Sequence, residues 1–201
     1  MTASPINLTF PAHMKPIVDE ILAGEYQIDL DINQPIIFDI GANVGIFTFW
    51  ALHKWPDCLI HCYEPSTANF CYLVKNFKHL KNVRLHNCAV GNPRHTKLYQ
   101  GRSNCGQASF FKTEQQQETF EIVKTISPST LPKHCDILKI DTEGCEVEIL
   151  RELQDRPFKA ILVEYHSEAN RQTIAKLLES YVLVDSHETW TNQGVLKYLR
   201  S

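Results

Sequence analysis

The sequence predicts a three-layer, doubly wound α/β fold, and three features carry that expectation. Short apolar, β-branched runs alternate with segments of helical period from Ile36 to the end of the chain. Several of these runs, such as Ile36-Ile-Phe-Asp-Ile40, are apolar almost throughout, as strands covered on both faces of a parallel sheet are. The 201 residues are 43% hydrophobic and 21% charged, which is ordinary for one globular domain and too apolar for a disordered chain.

Each element has its own local reason. Met14–Ala23, closed by Gly24, reads as a short amphipathic helix in a lead-in spanning residues 1–35. The main domain then runs over 36–201. Strands are expected at Ile36–Ile40, Leu59–Tyr63, Val83–Cys88, Ile137–Ile140, Ala160–Glu164, Tyr181–Val184 and Val195–Leu199. Between them the apolar spacing predicts helices at Gly45–Lys54, Thr67–Phe77, Glu146–Leu153 and Asn170–Ser180. Thr96–Ile126 breaks the alternation. Its Gly101, Gly106 and the alternating Lys-Leu-Tyr and Ala-Ser-Phe-Phe predict an inserted β-hairpin or meander, with Gln115–Glu118 at its polar tip. No internal repeat or low-complexity linker divides the chain.

Composition removes several function classes. Lys and Arg total 20 against 23 Asp and Glu, a net charge of -3, so the basic stripe that nucleic acid requires is missing. There is no polybasic segment for anionic lipid, no apolar run of about 18 residues, and no basic-then-apolar leader. A cytoplasmic protein without nucleic-acid or membrane partners is expected; the oligomeric state is not encoded in any pattern. The seven cysteines form no Cys-x-x-Cys pair, which argues against a zinc knuckle or a thioredoxin-type site. Most sit in apolar runs, as small buried hydrophobes do.

The strongest local signal is Asp39-Ile-Gly41-Ala42-Asn43-Val-Gly45, which follows a strand and opens a helix. Glycine permits the sharp turn and the close approach of a ligand. Neither the dinucleotide fingerprint nor the phosphate-loop Gly-Lys-Ser/Thr is present. A carboxylate at Asp39 would repel a pyrophosphate and suit an ammonium or sulfonium cation. S-adenosylmethionine carries both cations and no phosphate. Glu64, at the end of the second strand in Tyr63-Glu64-Pro65, is placed to accept hydrogen bonds from two ribose hydroxyls. Cys88, Ala89 and Val90 after the third strand would flank an adenine ring.

A second cluster, Asp136-Ile-Leu-Lys-Ile-Asp141-Thr-Glu143-Gly-Cys-Glu146, ends a buried strand in a carboxylate and turns into a helix. Ligands in open α/β sheets bind beyond the carboxyl ends of the strands, where strand order reverses. Asp141 should therefore face the sulfonium and Glu143 the acceptor. Glu146 and Glu148 suit the start of a helix as plain dipole partners. Glu164-Tyr-His166 follows the fifth strand at the same sheet edge. His187 and Trp190, expected between the last two strands, would cover the pocket. Arg102, Ser103, Asn104 and Ser109 are candidate acceptor contacts.

Residues 36–164 resemble the FkbM-type family of class I S-adenosylmethionine-dependent methyltransferases. The resemblance rests on Asp39–Gly45, Tyr63-Glu64-Pro65, Ala89-Val90-Gly91, Leu138-Lys-Ile-Asp-Thr-Glu-Gly144 and Val163-Glu-Tyr-His166. It implies a Rossmann-like sheet of seven strands with an antiparallel last strand. It also implies cofactor binding by Asp39, Gly41, Asn43, Gly45 and Glu64, and methylation of hydroxyls on small molecules such as sugars or polyketides.

In such a transfer the protein's main task is to align oxygen, methyl and sulfur in a dry pocket. A positioned base must take the hydroxyl proton; Asp141 comes first by location, then His166, with Glu143 as the neighbouring acid. This reading assigns no metal ligand. Its rival is a divalent ion on Asp141, Glu143 and His166, magnesium or calcium by the oxygen ligands, acidifying the hydroxyl instead. Three other readings compete. Methylation of a nucleobase would want Asn/Asp-Pro-Pro-Tyr/Phe where this chain has Asp-Thr-Glu-Gly. A non-catalytic adenosyl-binding module would keep the pocket without turnover, and a nicotinamide oxidoreductase would prefer a dinucleotide.

Overall fold

A computed structural model describes residues 7–101, 108–111 and 116–201. In chain order the elements are α1 (Lys15–Glu20), β1 (Ile36–Ile40), α2 (Ile46–Lys54), β2 (Leu59–Tyr63), α3 (Thr67–Phe77), β3 (Val83–His86), β4 (Ala89–Val90) and β5 (Lys97–Gly101). They continue with β6 (Gln116–Ile122), β7 (Thr125–Ile126), β8 (Ile137–Ile140), α4 (Glu146–Leu153), β9 (Ala160–Tyr165), α5 (Glu168–Leu177), β10 (Tyr181–Trp190) and β11 (Gln193–Arg200).

Seven strands form one sheet in the order β10-β11-β9-β8-β1-β2-β3. The five strands from β9 to β3 are parallel, and the last strand, β11, runs antiparallel to both β9 and β10. The chain moves outward from β1 to β3 and then returns to β8 on the other side of β1, so strand order reverses between β1 and β8. A crevice at the carboxyl ends of these two strands is where this topology places a ligand.

The period of two along each strand sends alternate side chains to opposite faces. Ile37, Ile60 and Leu162 join a core on one side of the sheet with Phe47 of α2 and Leu73 of α3. Phe38, Leu138, Ile140 and Val163 join a second core with Ile149 of α4 and Ile174 of α5. Both strand faces are therefore dry, which explains the apolar runs. Each fully buried side chain of this size stabilises the fold by about 1.5–3 kcal/mol. Met14, Val18 and Tyr26 of the lead-in pack into the first core, at 0%, 3% and 2% exposure.

Several elements differ from the sequence expectation. The lead-in helix is three pieces: a 3₁₀ turn at Ala12–Met14, α1 with Pro16 in its first turn, and a π-helical turn at Ile21–Glu25 in which Gly24 has φ 118°. The third strand stops at His86, because Asn87 turns to donate its side-chain amide to Glu64 O and Pro65 O. Helix α5 starts at Glu168 rather than Asn170, capped by Ser167 Oγ, which accepts from Asn170 N at 3.1 Å. Strand β10 extends to Trp190, so His187 is a strand residue, half exposed and 3.8 Å from Glu20, not part of a connection over the pocket. Trp190 closes the same strand, and its side chain lies outside the described residues.

The inserted region contains two small sheets. β5 pairs antiparallel with β6, while β4 pairs in parallel with β7, a pairing no periodicity of two-residue strands could announce. Gln116–Glu118 belong to β6 instead of a turn. Gln115, Arg102, Ser103, Asn104 and Cys105 lie outside the described residues, as do 106–107 and 112–114 of the connection from β5 to β6. Cys58, Cys62, Cys88, Cys135 and Cys145 are buried free thiols, and Cys71 is exposed. Among the described residues no helix is long and apolar enough to cross a membrane.

Candidate active site

The loop after β1 turns tightly against its neighbours. Gly41 N and Ala42 N both donate to Tyr63 O at 3.0 Å. Gly41 has φ 78°, and a Cβ there would lie 1.6 Å from Asp141 O, so the two walls of the crevice touch through backbone. Gly45 has φ 92°, and a Cβ there would meet the Phe77 ring at 2.2 Å. Its glycine is required by packing against α3.

Glu64 is 5% exposed and holds this loop open. Its Oε2 accepts from Asn43 N and its Oε1 from Ser66 N, each at 2.8 Å. Burial nevertheless pushes its pKa up to about 7, outweighing those two bonds and the pull of Lys139. Asn43 has φ 53°, and its Oδ1 is buried with no hydrogen-bond partner among the described residues. Both residues line the pocket, with Gly41 and Pro65 beside them.

Asp39 does not meet the pocket. It is fully buried behind the loop, accepting from Thr48 Oγ1 at 2.7 Å and facing Lys139 Nζ at 3.2 Å. Lys139 is the buried charge at this crevice that the sequence reading did not single out. It is 3% exposed, donates to Gly41 O at 2.8 Å, and lies 3.6 Å from Asp141 Oδ2. Burial alone would lower its pKa, but Asp39 and Asp141 outweigh burial and raise it. The available signal was a lone Lys in the buried strand Ile137-Leu-Lys-Ile140, which register places beside Asp39. Lys139 compensates Asp39, which is not among the lining residues; the carboxylates that line the pocket are Glu64, Asp141 and Glu143.

The opposite wall is the turn from β8 into α4. Glu143 has φ 55° and Gly144 φ 119°. Glu146, fully buried, shapes the turn: its Oε1 accepts from Thr142 N and Oγ1 at 2.9 Å and from Gly144 N at 3.0 Å. Burial would raise its pKa, yet His166 and the turn's N–H groups bring it below the ordinary value. His166 Nε2 lies 3.3 Å from Glu143 Oε2 and 3.8 Å from Glu164 Oε1; its Nδ1 lies 3.6 Å from Glu146 Oε1. Burial opposes the imidazolium, but these acids raise the pKa of His166 to about 9. Burial, with Asp141 adding to it, pushes Glu143 up to about 7 and Glu164 well above the carboxylate range. Asp141, Glu143 and His166 each offer an atom within 4.8 Å of the others, a spacing that suits a metal ion.

Ala89 and Val90 floor the pocket, while Leu98, Ala108 and Phe110 cover it. Cys88 (6% exposed), Ala42, Gly45 and His166 are not among the residues that line the pocket. Ser109 bonds to protein: its Oγ donates to Glu143 O at 2.7 Å, tying the cover to the acidic turn. Phe111 lies against Gly144, where a Cβ would meet its ring at 3.1 Å.

A doubly wound sheet with this strand order, an acid at the end of β2 and a glycine loop without the Gly-Lys-Ser/Thr of a phosphate loop agree with the class of S-adenosylmethionine-dependent methyltransferases. Residues 39–200 match the model of the methyltransferase FkbM domain, and the chain belongs to that family. It is 29% identical over 195 residues to Methyltransferase 1 of Beauveria bassiana, covering 81% of this chain and 78% of that one. A shorter match, 34% over 58 residues, covers 28% of this chain and 22% of the 31-O-demethyl-FK506 methyltransferase FkbM of Streptomyces tacrolimicus. Among solved structures, methyltransferase FkbM of Methylobacillus flagellatus KT superposes with TM-score 0.57 at 12% identity over 85% of this chain. This chain spans 44% of that structure's length. Fibrillarin of Aeropyrum pernix, solved with natively bound S-adenosyl-L-methionine, gives TM-score 0.56 at 11% identity, covering 92% of this chain and 74% of that one. These likenesses establish the seven-stranded Rossmann-like fold.

Proposed function

We propose that this chain binds S-adenosylmethionine in the β1–β8 crevice and methylates a hydroxyl of a small acceptor, sugar-like or polyketide-like. The observation that carries this reading is the pairing of two walls. One presents the buried Glu64 carboxylate beside the unpartnered Asn43 Oδ1; the other presents Asp141 and Glu143. A vicinal diol can donate to the first wall, and a cationic amino-acid moiety is attracted to the second. A pyrophosphate would face two carboxylates there, which costs binding. One relative's name, 31-O-demethyl-FK506 methyltransferase, supports an oxygen acceptor on a natural product.

When bound, S-adenosylmethionine supplies a methyl group already activated on a sulfonium. The chain's residues then position and exclude water. Gly41 keeps the backbone thin between the two walls, and Ala89 and Val90 offer apolar contact for the adenine. Leu98 and Phe110 close the pocket from solvent. An alcohol still needs help in losing its proton, and Asp141 and Glu143, backed by His166, are the groups placed to supply it. The test is calorimetric binding of S-adenosylhomocysteine followed by methyl transfer from labelled cofactor to a panel of glycosides and macrolides. Tighter binding of NAD than of S-adenosylhomocysteine would overturn the assignment. Binding without transfer to any hydroxyl, nitrogen or carbon acceptor would favour a non-catalytic module.

A further inference from the structure

We infer that Asp141, Glu143 and His166 form a binding site for one divalent cation of the oxygen-preferring class, such as Mn²⁺ or Mg²⁺. Three separate segments supply the donors: the end of β8, the turn into α4, and the residue following β9. Their donor atoms lie within 4.8 Å of one another, with His166 Nε2 and Glu143 Oε2 3.3 Å apart. Ligands bound to one ion at about 2.0–2.3 Å fall at such mutual separations. Two carboxylates and one imidazole match an ion that accepts oxygen first and tolerates nitrogen.

The surroundings point to the same occupant. Behind the ring, fully buried Glu146 places Oε1 3.6 Å from His166 Nδ1, while Glu146 Oε2 and His166 Nδ1 have no hydrogen-bond partner among the described residues. A carboxylate behind an imidazole is the usual arrangement that orients a metal-bound histidine and strengthens it as a donor. It leaves Nε2 as the ligating atom, on the side of Glu143. Glu164 Oε1, 3.8 Å from that Nε2, is near enough to receive a metal-bound water. Among these groups the acids outnumber the cations, since Lys139, 3.6 Å from Asp141 Oδ2, is shared with Asp39 at 3.2 Å.

Asp141 and Glu143 also line the cofactor pocket, so the ion would sit at the acceptor's place with coordination positions to spare. This catalytic part rests on the transferase reading. An acceptor hydroxyl held there would be acidified by the ion and would pass its proton, through a bridging water, to Glu164. The hydroxyl oxygen then forms the bond to the methyl carbon as the carbon–sulfur bond breaks, and that electron pair returns to sulfur, leaving neutral S-adenosylhomocysteine.

The test uses the whole chain, stripped with a chelator and titrated with MnCl₂ alone while the electron paramagnetic resonance of free Mn²⁺ is followed. The expected result is saturation at one ion per chain, weakened by about tenfold or more in Glu143→Gln and in His166→Ala. Pulsed spectra of the wild-type complex should also show ¹⁴N coupling from one imidazole, a readout that needs no variant to fold. Absence of saturable binding, absence of ¹⁴N coupling, or unchanged affinity in both variants would overturn the site. S-adenosylhomocysteine binding to the same stripped protein separates the two claims. If it binds and Mn²⁺ does not, the metal site falls alone; if Mn²⁺ binds and it does not, the transferase reading falls alone.

Discussion

Replacing Lys139 by Met keeps the buried stem and removes the charge. Lys139 and Asp39 are 3% and 0% exposed, so no water can take over the ammonium's role. Removing one partner of such a pair leaves the other buried and uncompensated, at about 3–5 kcal/mol. Loss of the 2.8 Å bond to Gly41 O adds about 0.5–1.5 kcal/mol. The nearby Asp141 contributes less, because it is 28% exposed and solvated. Lys139→Met should therefore lose about 3.5–6.5 kcal/mol, a large part of the roughly 5–15 kcal/mol that holds a domain folded. With a urea slope of about 1–3 kcal/mol/M, the unfolding midpoint should fall by about 1 M or more. Adding Asp39→Asn removes the orphaned charge and should restore part of the loss, so the two changes are non-additive. An unfolding free energy within about 1 kcal/mol of the parent, or strictly additive losses, would refute this account of the pair.

Other outcomes follow from the same geometry. Glu64→Gln should weaken S-adenosylhomocysteine binding by about 1.5–3 kcal/mol, measured by calorimetry, because charge-assisted bonds to the ribose are lost. Gly41→Ala should destroy that binding and lower thermal stability, since its Cβ would overlap Asp141 O at a positive φ. Glu64 also gives a pH signature. Its pKa in the folded chain is about 7 against an ordinary 4.5, so the folded state holds the extra proton between those values. This group's contribution makes stability decline as pH rises across that window, read as a falling urea midpoint. Affinity for the ribose should move oppositely, rising as the carboxylate ionises, as binding at pH 6 and pH 8 would show.

Much of the fold was legible because the parallel strands are covered on both faces. β1, β2 and β8, along with α3 and α4, have the bounds that apolar runs and period alone suggest. The acids of the pocket were equally legible, since Glu64, Asp141 and Glu143 all follow strand ends. What escaped depended on pairing between distant segments. Asp39 reads as a ligand contact until register sets Lys139 beside it. Gly45 reads as part of a ligand loop until α3 brings Phe77 over it. Ser109 reads as an acceptor contact until the cover folds down onto Glu143 O. β10 runs on past Val184 because β11 offers partners for Asp185 through Trp190, a pairing that polar sequence does not advertise.

The direct backbone contact between the β1 and β8 loops has a mechanical consequence. Lys139 of β8 bonds the loop after β1, and no side chain separates Gly41 from Asp141 O. The two halves of the sheet are thereby joined through backbone at the crevice. Among the described residues the 108–111 segment is held by two backbone bonds between Tyr99 and Ser109 and by one hydroxyl bond to Glu143 O. On the proposed function, a nucleoside entering the crevice meets this roof, and the strands beneath it stay joined.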